Sequence, residues 1–363
     1  MDEQDRIVAM LGTRQDPHAQ ARAARSQPLL LHSLTLFREI FEVVFEHRPI
    51  ATVVEIGVET GEVSGLYAEL GAEDVYCVEP IPSDELRAHI AENPALHLVE
   101  RHSPVALAEL PIADLYVLDG DHNYATVRAE LDWILEHAPG ALVAFHDVLW
   151  PCSRRDLYYQ PSLLRSDQRH SCTEDGPTVW HDCVTSSGFV GRGAFTSAAH
   201  AGGEENGVLT AIEDAIAYDD NRRFTIVPAV FGLGLLLRAD TANDTRLLGA
   251  LRPYTHSRLL AAMENNRIAL YTRVLAMQAE MAAHAQEADQ LVRGMAERRD
   301  EIDELRRDNE ALRKRHAREI GELRRRNEVL VRELEDQRRF TPALRNLAGV
   351  SGDLLRRAGG PWK

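Results

Sequence analysis

The sequence has little cysteine and no long apolar stretches. Four cysteines in 363 residues are too few for a disulfide scaffold. No apolar run reaches the length of about 20 residues that a membrane-spanning helix needs. The acidic first residues also lack the basic flank and apolar stretch of a secretion signal. The sequence therefore predicts a cytoplasmic protein with no membrane span.

Positive charge is also in short supply. The formal net charge is −16, and acidic and basic residues nearly balance between residues 296 and 340, so the excess acid lies elsewhere. Such a protein would repel the phosphates of a nucleic acid. The composition argues against a nucleic-acid partner and suits a neutral or cationic small molecule, or a sugar.

Short β-rich runs alternate with helical segments in the first half of the chain. Residues 28–46 have helical apolar spacing and precede the first strand. The predicted strands are Thr52–Ile56, Asp74–Val78, Leu96–Val99, Asp114–Leu118 and Ala141–Phe145. The helices predicted between them are Val63–Leu70, Ser83–Ala91, Pro104–Leu110 and Tyr124–His137. This alternation predicts an α/β fold, a doubly wound and mostly parallel sheet with helices on both faces.

The alternation lapses in residues 150–203, a long irregular insertion of the kind that forms lids or binding loops. A helix predicted at Gly207–Tyr218 follows it. The stretch Phe224–Arg238 then predicts two strands that form a closing hairpin through Val230–Gly234. Five alternating units closed by a hairpin predict a Rossmann-like sheet of seven strands.

A heptad repeat occupies the last third of the chain. Its apolar rows are Val274, Met277, Met281, Ala288, Leu291, Met295, Ile302, Leu305 and Leu312, resuming after a four-residue stutter at Ile320, Leu323, Leu330 and Leu334. Asn309 and Asn327 lie at a-type positions, where asparagine favours a parallel dimer in fixed register. We expect a homodimer through an intermolecular coiled coil. The alternative is a solvated charged helix that packs on its own domain.

These patterns divide the chain into four parts. Residues 1–28 are an N-terminal extension, and residues 29–254 are the α/β domain with its insertion. Residues 255–340 are the coiled coil, and residues 341–363 are a tail.

A glycine turn follows the first predicted strand. Gly57 and Gly61 let the backbone approach a ligand at the start of the next helix. A dinucleotide fingerprint would place glycines at positions 59 and 62, but both are glutamate. Together with Glu55, the carboxylates of Glu59 and Glu62 would repel a pyrophosphate, whereas they suit a ligand that carries a sulfonium and an ammonium group.

A carboxylate ends the second predicted strand, and a hydroxyl follows the third. Glu79 suits the ribose hydroxyls of S-adenosylmethionine or of NAD, so it does not separate the two, and Ser103 can hydrogen-bond an adenine edge. The turn resembles motif I, E-x-G-x-x-x-G, of class I S-adenosylmethionine-dependent methyltransferases. This resemblance implies a cofactor site formed by Glu55, Gly57, Gly61, Glu79 and Ser103.

Five polar residues end the fourth and fifth predicted strands, namely Asp119, Asp121, His122, His146 and Asp147. Neighbouring parallel strands present their carboxyl ends to one crevice, so these side chains should converge beside the cofactor, with Asp119 in contact with it. Oxygen and imidazole ligands suit Mg²⁺ or a related divalent ion. The ion would draw a substrate hydroxyl toward its alkoxide form while a nearby aspartate or histidine takes the proton.

The run D-G-D-H-N-Y that begins at Asp119, followed by F-H-D ending at Asp147, resembles one methyltransferase subfamily. It includes macrocin-type sugar O-methyltransferases and cephalosporin hydroxylase-like proteins. The resemblance covers residues 30–237 and implies metal ligation by Asp119 and Asp147, with Asp121 or His122 as the base. His146 stands where an acidic residue is usual, and it is included among the predicted metal ligands.

The sequence thus predicts an S-adenosylmethionine-dependent O-methyltransferase. Its acceptor would be a hydroxyl of a sugar, a glycan or a glycosylated natural product, and Mg²⁺ would assist. Two alternatives remain. An NAD-linked Rossmann oxidoreductase shares the fold but is opposed by Glu59 and Glu62. A scaffold with a degenerate cofactor domain is compatible with the long heptad repeat.

Overall fold

The computed structural model describes residue 14, residue 16, residues 18–26 and residues 34–357 of the chain. Contacts divide the chain into two units, Met1–Met281 and Ala282–Lys363. Most of the predicted N-terminal extension lies outside the described residues. Residues 358–363 of the predicted tail lie outside them as well.

The first unit is built on a seven-stranded sheet. The strands of the chain are β1 (Thr52–Ile56), β2 (Asp74–Val78), β3 (Leu96–Val99), β4 (Leu115–Leu118), β5 (Leu142–Phe145), β6 (Leu157–Tyr158), β7 (Cys172–Thr173), β8 (Thr196–Ala198), β9 (Arg222–Val227) and β10 (Leu233–Arg238). The large sheet has the order β3-β2-β1-β4-β5-β10-β9, and β10 is antiparallel to both of its neighbours. The predicted Rossmann-like, mostly parallel sheet is confirmed. The strand order reverses between β1 and β4, so their carboxyl ends border the crevice where such sheets bind ligands.

The described residues also contain α-helices. They are α1 (Ala19–Ser26), α2 (Arg38–His47), α3 (Glu62–Glu69), α4 (Asp84–Glu92), α5 (Tyr124–His137), α6 (Val208–Ile216), α7 (Ala242–Thr255) and α8 (Arg258–Arg357). Side chains cap several of them: Ser83 accepts the backbone N–H of Leu86, Asn123 accepts that of Thr126, and Thr241 accepts that of Asp244. The helix predicted at Pro104–Leu110 is instead a short 3₁₀ helix, since so few residues cannot propagate an α-helix.

Alternating strand residues supply two cores, one on each face of the large sheet. On one face, Val53 and Leu115 pack with residues of α2, α3, α4 and α7. On the other face, Val54 and Tyr116 pack with residues of α5 and α6. Successive side chains of a strand point to opposite faces, so helices must cover both sides of strands this apolar.

The insertion at residues 150–203, predicted as irregular, contains a three-stranded sheet of order β6-β8-β7. Its strands have two or three residues each, too few for an alternating pattern to be recognised in the sequence. The Asp156 carboxylate anchors the insertion, since it accepts the backbone N–H groups of Tyr124 at 2.8 Å and Gly207 at 2.7 Å. Because Tyr124 opens α5 and Gly207 precedes α6, this one carboxylate fixes the insertion to both helices.

The beginning of α8 belongs to the first unit, which extends to Met281 rather than to the predicted domain end at residue 254. The physical reason is specific packing. Glu264 is buried, and the guanidinium of Arg267 lies 4.2 Å from the centre of the Phe231 ring. The heptad rows begin only at Val274, so they do not record this packing.

The described residues of the second unit form one continuous helix, and its heptad rows are exposed. Leu305 is 61% exposed and Leu323 is 66% exposed. The helix α8 continues to Arg357, past the predicted start of the tail at residue 341. Among the described residues, none of the helices combines the length and the apolarity that crossing a membrane requires.

Candidate active site

A glycine turn joins β1 to α3. Gly57 has a φ of +82° and Gly61 has a φ of +80°, values that glycine adopts without steric cost. A Cβ on Gly57 would lie 2.6 Å from the Cα of Gly120 and closer still to the carbonyl oxygen of Asp119. The close approach of the residues after β4 therefore requires glycine here, a reason that the sequence analysis did not see. The same approach places the turn against the end of β4.

Glu55 lies in β1, directly before the turn, and it is buried. Its carboxyl accepts a hydrogen bond from the Ser64 hydroxyl of α3. Burial raises the pKa of Glu55 to about 8, although the Ser64 hydrogen bond opposes the rise. At neutral pH this carboxyl is mostly protonated and therefore uncharged. The exposed glutamates of the turn are Glu59 and Glu62. Cofactor binding by Glu55 stays a prediction.

Glu79 follows β2 and lies beside the turn. One carboxylate oxygen accepts the Ile81 backbone N–H at 3.1 Å, and the other accepts the Val58 backbone N–H at 3.5 Å. Its half-buried carboxylate therefore borders the cofactor position predicted from the sequence.

Ser103 follows β3, and its hydroxyl is engaged. It donates a hydrogen bond to the carboxyl of Glu130 in α5. Burial raises the pKa of Glu130 to about 8, against the effect of the Ser103 hydrogen bond. Adenine contact by Ser103 stays a prediction, and the hydroxyl proton is already used within the protein.

Four of the five polar residues predicted at the ends of β4 and β5 lie together, and we call them the polar cluster: Asp119, His122, His146 and Asp147. The Nδ1 of His146 donates to Asp119 Oδ1 at 2.9 Å and lies 3.4 Å from Asp147 Oδ1. The Nε2 of His122 lies 3.4 Å from Asp119 Oδ1 and 3.6 Å from Asp147 Oδ2. Each imidazole thus faces both carboxylates.

Asp121, the fifth predicted residue, bonds to the insertion instead. One of its carboxylate oxygens accepts the backbone N–H of Tyr159 at 3.3 Å. Burial raises the pKa of this carboxyl. The Tyr159 ring lies 5.9 Å from the imidazole of His122, centre to centre, so the insertion forms one wall of the site.

Cys152, near the start of the insertion, contacts the polar cluster, and the sequence did not predict this contact. Its thiol donates to Asp147 Oδ2 at 3.7 Å. Burial raises the pKa of this thiol well above its usual value. The signal in the sequence that could have placed Cys152 at this site is its position, five residues beyond Asp147.

Opposite charges dominate the electrostatics of the polar cluster. Burial raises the pKa of Asp119, but the charges of His146 and His122 and the hydrogen bond from His146 outweigh it and lower the pKa to about 2. Burial lowers the pKa of His146, whereas Asp119 and Asp147 outweigh that effect and raise it to about 9. The pKa of His122 is also raised, because the neighbouring carboxylates outweigh its burial. Asp119 and the two imidazoles thus stabilise one another's charged forms.

Several buried atoms of the polar cluster make no hydrogen bond with any described residue, namely Nδ1 and Nε2 of His122, Nε2 of His146 and Oδ1 of Asp147. Buried polar atoms are normally paired, so these atoms are available to a ligand. Ligand atoms of Asp119, His122 and His146 lie within 4.8 Å of one another, and so do those of His122, Asp147 and Cys152. These donors fit a divalent metal ion that accepts nitrogen and oxygen ligands.

Comparison with known proteins gives one family match. Residues 54–148 match the family model described as a methyltransferase domain, a range that includes the glycine turn and the polar cluster. No curated protein sequence matches the chain.

Solved structures similar to this chain share little sequence with it. An SAH-bound methyltransferase from Podospora anserina has 14% identity and a TM-score of 0.36, covering 58% of this chain and 81% of its own. An O-methyltransferase from Bacillus cereus in complex with SAH has 14% identity and a TM-score of 0.36, with coverage of 60% and 87%. A methyltransferase from Geobacter sulfurreducens has 15% identity and a TM-score of 0.33, with coverage of 66% and 96%. Similarity this low carries no inference about function. The family match is more informative: residues 54–148 are similar to a methyltransferase domain, and the glycine turn and the polar cluster lie within them.

Proposed function

We propose that the chain transfers a methyl group from S-adenosylmethionine to a hydroxyl oxygen of an acceptor. The observation that carries the proposal is the close approach of Gly57 to Asp119 and Gly120. It places the glycine turn, where the cofactor would bind, against the polar cluster, where an acceptor hydroxyl would lose its proton. Glu79 supports the choice of cofactor, since its carboxylate borders the turn where the ribose would lie.

His122 is the base in this proposal. Its imidazole is buried and lies within 3.6 Å of a carboxylate on either side, which orients the ring and favours its charged form after proton uptake. Asp121, the other predicted base, already accepts a backbone N–H of the insertion. The geometry therefore favours His122 over Asp121.

Asp119, His146 and Asp147 would hold a divalent ion beside the base. When bound, such an ion lowers the pKa of an acceptor hydroxyl and orients its oxygen. The imidazole of His146 lies between the two carboxylates, so the donor set favours ions such as Mn²⁺, Fe²⁺, Co²⁺ or Zn²⁺ over the Mg²⁺ predicted from the sequence, which prefers oxygen ligands throughout.

The acceptor in this proposal is a small molecule with hydroxyl groups, such as a sugar, a glycan or a glycosylated natural product. Tyr159 supports a site for such a molecule, because the residue is 42% exposed and its ring lies beside that of His122. Exposed aromatic rings beside a few polar groups are typical of small-molecule sites. The subfamily resemblance of the strand-end residues supports a sugar-containing acceptor.

A homodimer through a parallel coiled coil completes the proposal. The heptad rows of the second unit are exposed in the single chain, and a second copy would bury them by packing side chains into the gaps of the facing helix. Asn309 and Asn327 would then pair across the dimer and fix its register.

Methyl transfer is tested with S-adenosylmethionine carrying a labelled methyl group and a panel of sugars, glycosides and other hydroxylated acceptors. We expect label in at least one acceptor, and we expect His122→Gln to lower kcat by about a hundredfold or more while cofactor affinity stays the same. His284→Gln is the matched control, because His284 is exposed on α8. Label transfer to nitrogen only, or full activity of His122→Gln, would contradict the proposal.

A further inference from the structure

The turn between β9 and β10 has an unusual backbone. Val230 has a φ of +45° and Phe231 a φ of +63°, a region that β-branched and bulky side chains rarely adopt. Such conformations cost free energy and persist only where surrounding contacts hold them. This conformation therefore depends on contacts between the turn and the rest of the protein.

The turn is bonded to the segment that carries two residues of the polar cluster. The carbonyl oxygen of Phe231 accepts the Leu149 N–H at 2.7 Å, and that of Gly232 accepts the Val148 N–H at 3.3 Å. These donors directly follow Asp147, whose own φ is +58°. The turn thus continues the pairing of β10 with β5 past the end of β5, over the residues that follow His146 and Asp147.

Glu264 of α8 holds the turn from its other side. Its carboxylate accepts the Val230 N–H at 2.9 Å and the Phe231 N–H at 2.8 Å. Arg267 donates to both carboxylate oxygens at 2.7 Å, and its guanidinium also lies over the Phe231 ring. The Glu264 side chain is only 6% exposed, so water cannot replace it as the acceptor of these two N–H groups.

We propose that Glu264 is a positioning residue for the polar cluster: by fixing the Val230–Phe231 turn it holds His146 and Asp147 where the acceptor reacts. The chain of contacts runs from α8 to the turn and from the turn to the backbone after Asp147. The consequence for catalysis rests on the proposed methyl transfer, but the consequence for the backbone does not. The first turns of α8, which carry Glu264 and Arg267, therefore help to position the polar cluster.

The test compares full-length Glu264→Gln with wild type. The amide keeps the size of the side chain but loses the charge that binds two N–H groups and Arg267. We expect faster hydrogen exchange at Val148 and Leu149, a kcat roughly ten- to hundredfold lower, and an unchanged affinity for S-adenosylmethionine. Glu280→Gln is the matched control, because Glu280 is exposed on the same helix, and it should match wild type in all three measurements.

Unchanged exchange at Val148 and Leu149 would overturn the proposal, and so would faster exchange with a wild-type kcat. If the wild type transfers no methyl group, the proposed function fails, and the exchange measurement alone decides whether Glu264 fixes the segment. If Glu264→Gln does not fold, Arg267→Gln takes its place. That variant keeps both bonds from the carboxylate to the turn and should show a smaller increase in exchange at the same amides, and no increase would overturn the proposal.

Discussion

Two buried glutamates, Glu55 and Glu130, each accept a hydrogen bond from a serine hydroxyl. Burial raises the pKa of each to about 8. Both are mostly protonated at neutral pH, so the interior around each of them is less negative than the sequence suggests. The repulsion of a pyrophosphate then depends on Glu59 and Glu62 rather than on all three carboxylates of the turn.

Glu55→Gln tests the protonated state of Glu55. The pKa is about 8 in the folded protein against an ordinary 4.5, so the folded state binds the proton more tightly and wild-type stability falls as pH rises through this interval. The neutral amide removes this penalty. We expect the variant to gain stability over wild type between about pH 5 and pH 8 in thermal unfolding. A pH-independent difference between the two proteins would contradict a raised pKa.

Asp119→Ala tests metal ligation. We expect turnover to fall because metal affinity falls, by more than the roughly 10–100-fold typical of outer-shell partners, and excess Mn²⁺ should restore part of it. Metal binding is measured by calorimetry beside turnover, with Asp220→Ala as an exposed control. Undiminished wild-type turnover in a strong chelator would remove the metal from the mechanism.

Glu79→Ala tests the identity of the cofactor. We expect S-adenosylmethionine, but not NAD, to raise the melting temperature of the wild type. The variant should bind S-adenosylmethionine about ten- to hundredfold more weakly, since hydrogen bonds to a charged group contribute roughly 1.5–3 kcal/mol. Glu73→Ala is the exposed control. Equal stabilisation of the wild type by NAD would favour an oxidoreductase instead.

At the scale of elements, the sequence was informative wherever a local pattern controls the structure. The bounds of β1, β2, β3 and α5 were predicted to the residue, because each is a short apolar run or an amphipathic segment between turn residues. The strands of the insertion and the place of Cys152 depend on how distant segments fold back, and no local pattern records that. The contact of Glu264 with the β9–β10 turn was missed for the same reason.

Truncation tests where the folded unit ends. A chain that ends after Met281 should fold, lose the coiled coil and still gain stability from S-adenosylmethionine. A chain that ends after Tyr254 lacks Glu264 and Arg267, so two buried N–H groups lose their acceptor, at a cost of about 2 kcal/mol or more. It should melt at a lower temperature than the longer chain. Equal melting temperatures would show that residues 255–281 do not stabilise the first unit.

At the scale of the whole molecule, the exposed heptad rows predict the state of assembly. Light scattering should give a dimer for the intact chain, and Leu305→Glu should give a monomer because it places two charges in the coiled-coil seam. Ala311→Glu is the matched control, since it adds the same charge outside the predicted seam. A monomeric wild type would leave the alternative of a solvated single helix.

The anchoring of the insertion has a consequence for how new specificities could arise. The backbone N–H of Asp156 also donates a hydrogen bond, at 2.8 Å, to the side-chain oxygen of Asn206 at the base of the insertion. The two ends of the intervening segment are thus bonded to each other and to the starts of α5 and α6, whereas the residues of the polar cluster directly follow β4 and β5. We therefore expect that residues 159–205 can be exchanged: grafting another sequence between Asp156 and Asn206 should change the acceptor of the proposed methyl transfer and leave its methyl donor unchanged.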